Sequence, residues 1–227
     1  MSVYKNINNI LEDIGESCLK AGRAPESVTL VAVSKTKSPE LILEAYEAGQ
    51  RHFGENYVQE ALSKVENLPG DIKWHMIGHL QSNKAKYVAG RFALLHTVDR
   101  PSLADALNKQ AVKLGITIPV LLQTNLAGES TKSGADSSGA LAMAREADKW
   151  SGLEIRGLMC IPPFGMAAEE SRPHFRALRD LSKKIGEECP NSVKMEELSM
   201  GMSHDYRVAI EEGATLVRVG SAIFGER

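Results

Sequence analysis

The sequence predicts an α/β protein, a single (β/α)8 barrel of the TIM type that spans residues 1–227. Short apolar runs alternate along the chain with longer amphipathic stretches, and this alternation is typical of parallel strands joined by helices. Eight such runs occur, which is the number of strands in a closed barrel of this type. An open doubly wound sheet would show the same alternation, but no G-x-G-x-x-G motif follows the first run, so the barrel is favoured.

The elements follow in order along the chain. Residues 3–21 predict a helix, because apolar side chains recur there at helical spacing and Gly22 and Pro25 end the pattern. The apolar runs predict strands over residues 30–33, 52–53, 73–77, 94–98, 119–124, 155–159, 197–200 and 216–219. The stretches between them predict helices over residues 39–48, 57–65, 102–114, 138–150, 169–186 and 204–212.

The segment after the eighth strand is short for the helix that should complete the barrel wall. Only residues 220–227 follow the eighth strand, and they are too few for a full helix. We therefore expect the helix at residues 3–21 to occupy the gap in the wall. A structure in which that helix stood apart from the wall would contradict this expectation.

The composition excludes several classes of function. Apolar residues make up 43% of the chain and charged residues 25%, as in a soluble globular protein with a sizeable core. The 27 basic and 29 acidic side chains nearly cancel, so we expect neither a nucleic-acid nor a membrane partner. No apolar segment is long enough to span a membrane, and the N-terminus lacks the apolar run of a signal peptide. We expect a cytoplasmic protein.

No metal site is predicted. Cys18, Cys160 and Cys189 are widely spaced and form no C-x-x-C pattern, so we interpret them as reduced packing residues. His75 and His79 are four residues apart, but they lie on or just after a strand and lack the glutamate of an H-E-x-x-H motif.

Polar residues gather where three of the predicted strands end. In this fold, functional side chains come from the carboxyl ends of the strands and the loops that follow them. The first strand ends in the sequence Ser-Lys-Thr-Lys at residues 34–37. Small and hydroxyl residues follow the seventh and eighth strands, at 199–203 and 218–221, which is the usual place of a phosphate site in such barrels.

Lys35 has the features of a nucleophilic amine. Alternate residues of a strand share a face, so Lys35 continues the face of Val31 and Val33 and emerges at the top of the barrel core. Partial burial and the like charge of Lys37 both disfavour the ammonium form. A reactive amine facing a phosphate site indicates a phosphorylated carbonyl compound held as a Schiff base, and pyridoxal 5'-phosphate is the leading candidate.

Arg218 supports the same cofactor. It lies two residues before the predicted phosphate loop, so its guanidinium can face the cofactor ring. An arginine at the pyridine nitrogen keeps that nitrogen unprotonated and weakens the ring as an electron sink.

Six motifs together resemble a known family. They are "VAVSKTK", "HFGENYVQE", "WHMIGHLQSNKAK", "GLMCIPP", "LSMGMSHDY" and "VRVGSAIFG", which occur in this order from about Val28 to the C-terminus. The chain resembles the pyridoxal phosphate homeostasis proteins of the YggS/PROSC type, which are related to the N-terminal barrel domain of alanine racemase. The combination is far more specific than any one of its motifs.

The resemblance implies roles for individual residues. It implies that Lys35 forms the internal aldimine with pyridoxal 5'-phosphate and that Arg218 faces the pyridine nitrogen. It places Asn56 near the cofactor ring and His79 at the same mouth of the barrel. The residues that it places around the phosphate are Ser199, Ser203, Gly220 and Ser221.

The resemblance also implies a function without established catalytic turnover. Proteins of this family are single-domain barrels regarded as carriers or regulators of intracellular pyridoxal phosphate, which predicts apoenzymes as partners. Alanine racemases need a tyrosine from a C-terminal β domain across a dimer interface, and this sequence stops at Arg227. We therefore expect a monomer that is not an enzyme. Arg207 stands where the family commonly has an acid, and Ser221 where it frequently has a threonine.

Several alternatives remain open at this stage. A pyridoxal-phosphate-dependent racemase or lyase acting on amino acids would need a second acid/base group, for which Tyr57 and His79 are candidates. A Schiff-base aldolase or isomerase could instead take a sugar phosphate at Lys35. Taken alone, Arg218 could form a structural ion pair with an acid such as Glu55.

Two of these serines could have a purely structural role. Ser199 and Ser203 could simply cap the helix that begins near His204, although a capping serine can still serve a phosphate.

Overall fold

The computed structural model describes residues 2–127, 133–189 and 191–225. Within these residues, eight parallel strands pair in sequence order and close into a barrel, as the sequence predicts. The strands are β1 Thr29–Val33, β2 His52–Glu55, β3 Lys73–Met76, β4 Leu94–Val98, β5 Ile118–Thr124, β6 Leu153–Cys160, β7 Glu197–Ser199 and β8 Leu216–Val219.

Helices surround the barrel. They are α1 Val3–Lys20, α2 Pro39–Glu47, α3 Val58–Asn67, α4 Ala85–Val88, α5 Pro101–Leu114, α6 Ser137–Arg145, α7 Ala168–Glu188, α8 Tyr206–Glu211 and α9 Ser221–Phe224. Short 3-10 turns occupy Pro25–Ser27, Ser82–Lys84 and Ala147–Lys149. The prediction of one helix over residues 138–150 is wrong at its end, because α6 stops at Arg145 and a separate 3-10 turn follows.

The N-terminal helix α1 completes the barrel wall, as expected. It packs against α2, α8 and α9, and the side-chain amide of Asn6 donates to the carbonyl oxygen of Ile223 at 2.8 Å. Its apolar face is buried through Ile7, Ile10 and Ile14. The short α9 therefore leaves no gap, since α1 covers the place where a longer closing helix would lie.

Alternate residues of the strands divide the core into two parts. Residues on the outward faces pack under the helices in one large cluster. Those on the inward faces form a smaller cluster inside the barrel, made of Val31, Leu94, Leu121, Met159 and Leu216. This cluster fills only part of the interior, because the buried polar side chains of His75 and His96 also lie there.

Among the described residues, none of the helices has both the length and the apolar character that crossing a membrane requires. All three cysteines have free thiols and are buried. Burial raises the pKa of the Cys160 thiol to about 12, so this thiol is a packing group and not a nucleophile.

We predict that Gly157→Ala destabilises the barrel, because β6 and β7 approach closely at this point. A Cβ at Gly157 would lie 1.8 Å from the carbonyl oxygen of Glu197. The expected loss in the free energy of unfolding is about 3 kcal/mol, measured by urea denaturation. Gly186→Ala in α7 is the matched control, since its Cβ would lie 3.6 Å from Met195 and should add about 0.5 kcal/mol. Equal effects of the two substitutions would contradict the prediction.

We also predict that Asp13 ties α1 to α8 in a pH-dependent way. Its carboxylate accepts hydrogen bonds from the Tyr206 hydroxyl at 2.8 Å and from the Arg207 guanidinium. Burial pushes the Asp13 pKa upward, but these two donors outweigh it and hold the pKa below its ordinary value of 3.8. A lowered pKa adds stability above the unfolded pKa, and that stability is lost as the pH falls through the folded pKa.

Asp13→Asn should therefore lower the free energy of unfolding by about 1 kcal/mol at pH 7 and pH 5. The difference from the wild type should shrink at pH 3. Urea denaturation at the three pH values measures it, with the exposed neighbour Glu12→Gln as control. A variant as stable as the wild type at pH 7 would show that the carboxylate does not hold the two helices together.

Candidate functional site

A cavity of about 420 Å³ opens at the carboxyl ends of the strands. Six of the eight residues predicted from the sequence line it: Lys35, Asn56, Ser203, Arg218, Gly220 and Ser221. They come from the ends of β1, β2, β7 and β8 and from the loops that follow. Residues separated by nearly two hundred positions in the sequence thus meet in one place.

Ser199 and His79 lie outside this lining of described residues. Ser199 is fully buried at the end of β7, and its hydroxyl contacts Arg218 and His96. His79 is half-exposed on the loop after β3, with Nδ1 3.1 Å from the Ser133 hydroxyl and 3.8 Å from Asp99 Oδ2. Ser199 therefore reaches the pocket only through Arg218, and the placement of His79 at the mouth stays a prediction.

The loop that carries Lys35 is tied on both sides of this lysine. Thr36 has a φ of 62°, an unusual conformation for a β-branched residue, and its N–H donates to Glu60 Oε1 at 2.6 Å. Lys37 donates to the carbonyl oxygens of Phe224 and Gly225 at 3.3 and 3.0 Å. These bonds hold the loop between α3 and the end of α9, so the position of the Lys35 backbone is restricted.

A buried ion pair supports this loop from below. Lys64 Nζ lies 2.8 Å from Glu55 Oε1, 2.6 Å from Glu60 Oε1 and 2.8 Å from the carbonyl oxygen of Ser34. The Ser34 hydroxyl also donates to Glu55 Oε1, at 2.7 Å. Burial raises the pKa of Glu55, although the bonds from Lys64 and Ser34 oppose this effect. We call these four residues the Lys64 cluster.

The sequence analysis did not identify the Lys64 cluster. The spacing of Glu60 and Lys64, four residues apart on a helix, is the one signal that pointed to a contact between them. The alternative in which Glu55 pairs with Arg218 is wrong, because Glu55 faces outward from β2 and its partner is Lys64.

Arg218 is a buried cation held by neutral groups. Its Nη1 donates to Ser199 Oγ at 2.5 Å and its Nη2 to the carbonyl oxygen of Cys160 at 2.9 Å. It is only 4% exposed, and burial lowers its pKa. No carboxylate of the described residues lies within ion-pair distance of it. Its positive charge is therefore available to a ligand in the cavity.

The loops after β7 and β8 bring serine hydroxyls to the same cavity. Gly201 has a φ of 90°, and a Cβ there would lie 2.6 Å from the Cβ of Ala209. The next turn is fixed because the N–H of Met202 donates to Asp205 Oδ1 at 2.7 Å. Ser203 Oγ accepts from the N–H of Gly220 at 3.3 Å, so the two loops are joined directly at the pocket.

The interpretation of the serines as helix caps is not supported. The predicted helix 204–212 begins at Tyr206, because Met202 and Asp205 form a turn before it. Asp205 is the residue before its first turn, so neither Ser199 nor Ser203 occupies the capping position.

Three further residues of the rim were not assigned to the site from the sequence. Ile161 and Phe164 follow β6, and Phe164 is 99% exposed although it borders the cavity. His204 also lines the cavity, next to Ser203. The position of residues 161–164 after a strand end is the signal that could have revealed the first two.

His75 and His79 have different surroundings in the fold. His75 faces the barrel interior and contacts two other histidines, while His79 lies on the loop outside. The described residues contain no group of three or more His, Cys, Asp or Glu that could hold a metal ion.

Comparisons with known proteins identify relatives along the whole chain. The family model of the alanine racemase N-terminal domain matches residues 19–227. The pyridoxal phosphate homeostasis protein of Aquifex aeolicus is 43% identical over 228 residues, covering 100% of this chain and 99% of the relative. That of Vibrio alginolyticus is 45% identical over 231 residues, covering 100% and 98%. The structure of PipY from Synechococcus elongatus with PLP bound is 40% identical and has a TM-score of 0.82, covering 93% of this chain and 100% of that one.

We predict that Lys64→Met destabilises the protein by about 3 kcal/mol at pH 7, because it leaves the Glu55 carboxylate buried without its cation. The pKa of Glu55 should rise further in this variant. The loss should therefore diminish as the pH falls and the carboxylate is protonated. Urea denaturation at pH 7 and pH 5 measures both effects.

The double variant Glu55→Gln with Lys64→Met should regain about half of the lost stability, since no buried charge then remains unpaired at this point. Lys183→Met is the control, because Lys183 forms an exposed ion pair with Glu187 and should change stability by less than about 0.5 kcal/mol. A double variant no more stable than Lys64→Met would contradict the assigned role of the ion pair.

Proposed function

Because the chain belongs to the alanine racemase N-terminal domain family and its full-length relatives are pyridoxal phosphate homeostasis proteins, we propose that it binds pyridoxal 5'-phosphate and acts in its homeostasis. The resemblance read from the sequence motifs is confirmed. The observation that carries the proposal is the meeting of Lys35, Arg218 and two serine hydroxyls in one cavity.

The donor set fits this cofactor. Pyridoxal phosphate supplies an aldehyde that condenses with amines, a pyridine ring and a dianionic phosphate. The cavity offers an amine at Lys35, a guanidinium at Arg218 and hydroxyls at Ser203 and Ser221. At Gly220 a Cβ would lie 3.3 Å from the Cβ of Val33, so glycine lets the loop after β8 pack closely against the end of β1.

Lys35 is the proposed point of covalent attachment. Its amine would attack the aldehyde carbon and release one water molecule, which leaves a Schiff base. The bonds of Thr36 to Glu60 and of Lys37 to the end of α9 keep the loop in place during this step. Water or an incoming amine reaching the open mouth would reverse it, as a carrier requires.

Arg218 is the proposed partner of the pyridine nitrogen. A guanidinium donates hydrogen bonds and does not give up its proton at neutral pH, even though burial lowers the Arg218 pKa. A donor of this kind leaves the ring nitrogen unprotonated, and the ring then withdraws electrons weakly. The arrangement favours holding the cofactor over catalysing reactions on it.

Ser203, Ser221 and the backbone of Gly220 are the proposed phosphate ligands, and Asn56 the proposed neighbour of the ring. We assign Ser199 to the support of Arg218, because it is fully buried below the guanidinium. His79 at the mouth stays a prediction.

An amino-acid racemase or lyase is the second candidate function, as fold relatives of this kind include racemases. Such an enzyme needs a second acid/base group beside the cofactor. Tyr57 is 56% exposed, and neither it nor His79 belongs to the lining of the cavity among the described residues. This observation argues against these two residues in that role, and His204, which does line the cavity, would be the remaining candidate. A sugar-phosphate aldolase would use the same lysine and is separated by the spectrum below.

We extend the proposal to the setting of the protein. The expected form is a cytoplasmic, single-domain monomer that delivers the cofactor to apoenzymes, as the family resemblance implies.

The first test is spectroscopic. We predict that the wild type incubated with pyridoxal phosphate shows an imine absorbance and that borohydride reduction fixes the cofactor to the peptide containing Lys35. Lys35→Ala should lose both signals, while Lys183→Ala on the surface of α7 keeps them. A colourless wild type that takes up no cofactor would overturn the proposed function.

Turnover separates the candidates. Loaded protein mixed with a panel of L-amino acids should release cofactor in proportion to the protein present and then stop. Sustained formation of a D-amino acid or a cleavage product would establish the enzyme instead.

A further inference from the structure

A continuous chain of hydrogen bonds crosses the barrel interior and ends at Arg218. His52 Nδ1 lies 2.9 Å from His75 Nε2, and His75 Nδ1 lies 2.8 Å from His96 Nε2. His96 Nδ1 lies 2.8 Å from Ser199 Oγ, which in turn accepts from Arg218 Nη1. The histidines belong to β2, β3 and β4, and His52 is the first residue of its strand. The chain therefore runs from the amino end of the strands toward the cavity.

The histidines of this chain carry no charge. His75 is 3% exposed and His96 fully buried. Burial lowers the pKa of His75 to about 3 and that of His96 well below its usual range. Each ring therefore bears one N–H donor and one acceptor nitrogen at neutral pH.

The chemistry of Arg218 fixes the direction of the whole chain. A guanidinium can only donate, so Ser199 Oγ accepts from Arg218, and His96 Nδ1 is the acceptor that the described residues offer to its own hydrogen. With that bond made, His96 donates from Nε2 to His75 Nδ1, and His75 from Nε2 to His52 Nδ1. The reverse arrangement also satisfies the bonds between the rings, but it leaves the buried hydrogen of Ser199 without an acceptor, so the favoured arrangement has His75 and His96 both protonated at Nε2.

This arrangement matters for Arg218 because the described residues place no carboxylate in ion-pair contact with it. Its guanidinium is held by two neutral acceptors, Ser199 Oγ and the Cys160 carbonyl oxygen. A hydroxyl that donates to another group becomes a better acceptor itself, so the histidines strengthen the bond from Ser199 to Arg218. Without His96, the hydroxyl is free to rotate.

We propose that His75, His96 and Ser199 are positioning residues that hold the Arg218 guanidinium in the orientation in which it meets the ring of the bound cofactor. The inference rests on the proposed function for the identity of that ligand. The proton arrangement and the order of the guanidinium are properties of the chain without any ligand.

The first measurement uses the full chain with ¹⁵N-labelled histidine and no cofactor. Long-range ¹H–¹⁵N spectra report which ring nitrogen carries the proton. We expect Nε2–H for His75 and His96, unchanged between pH 8 and pH 5. A proton on Nδ1 of His96, or a change of protonation in this range, would overturn the proposal.

The second measurement compares variants at His96. His96→Leu removes the acceptor for Ser199, whereas His96→Asn keeps an acceptor oxygen close to the place of Nδ1. The Arg218 side-chain N–H signals should exchange with solvent about tenfold faster in His96→Leu, and the apparent Kd for pyridoxal phosphate should rise about tenfold. His96→Asn should bring both the exchange rate and the apparent Kd most of the way back to the wild-type values. The control is His174→Leu, because this histidine lies on α7 and does not belong to the hydrogen-bond chain.

Ser199→Ala covers the case in which His96→Leu does not fold by circular dichroism, since it deletes only the hydroxyl and should give the same changes. A folded His96→Leu or Ser199→Ala with wild-type exchange at Arg218 would overturn the proposal. If the wild type does not bind pyridoxal phosphate, the proposed function fails, and the proton positions and exchange rates still decide this inference.

Discussion

A positive charge inside the barrel is the constraint on which the rest of the site depends. Removing a guanidinium from water costs several kcal/mol, so an arginine inside a protein normally has an anionic partner. Arg218 is retained in the interior by a hydroxyl and a carbonyl oxygen. The interior faces of β3 and β4 carry His75 and His96, and His96 gives that hydroxyl its second partner.

The loop after β1, the strand that pairs with β8, is held by a different network. The loop of Lys35 includes a residue in the left-handed region, Thr36, and its conformation is stabilised by a carboxylate that also contacts Lys64. An ion pair that is buried on the outer face of β2 thus determines where a lysine on the inner side emerges. Arg218 and the loop of Lys35 are thus held by separate networks, one of neutral groups and one of charges.

The sequence reveals elements more readily than contacts. The bounds of β4 and β8 agree with the prediction, because both are uninterrupted apolar runs between clear breaks. β2 was predicted over two residues and has four, because Gly54 and Glu55 read as a loop. Gly54 faces the interior and Glu55 is neutralised by Lys64, a partner that only the folded chain supplies.

Lys35 and Arg218 were predictable from a rule that concerns single strands, namely that side chains at the carboxyl ends meet at one mouth. The histidine chain was not, because its members lie on different strands and meet only through the register of the closed barrel. The prediction that Ser199 binds the phosphate has a similar origin. The sequence shows that Ser199 lies at a strand end, but it does not show how deeply the side chain is buried.

The completion of the wall by α1 has a consequence for synthesis on the ribosome. The bond between Asn6 and Ile223 joins residues 217 positions apart, and α8 and α9 cover α1 only after they have been made. The apolar face of Ile7, Ile10 and Ile14 thus lacks these partners while most of the protein is being translated. Until α8 and α9 emerge, the nascent chain exposes part of an apolar helix face near its N-terminus, and a chaperone that binds apolar segments would recognise it.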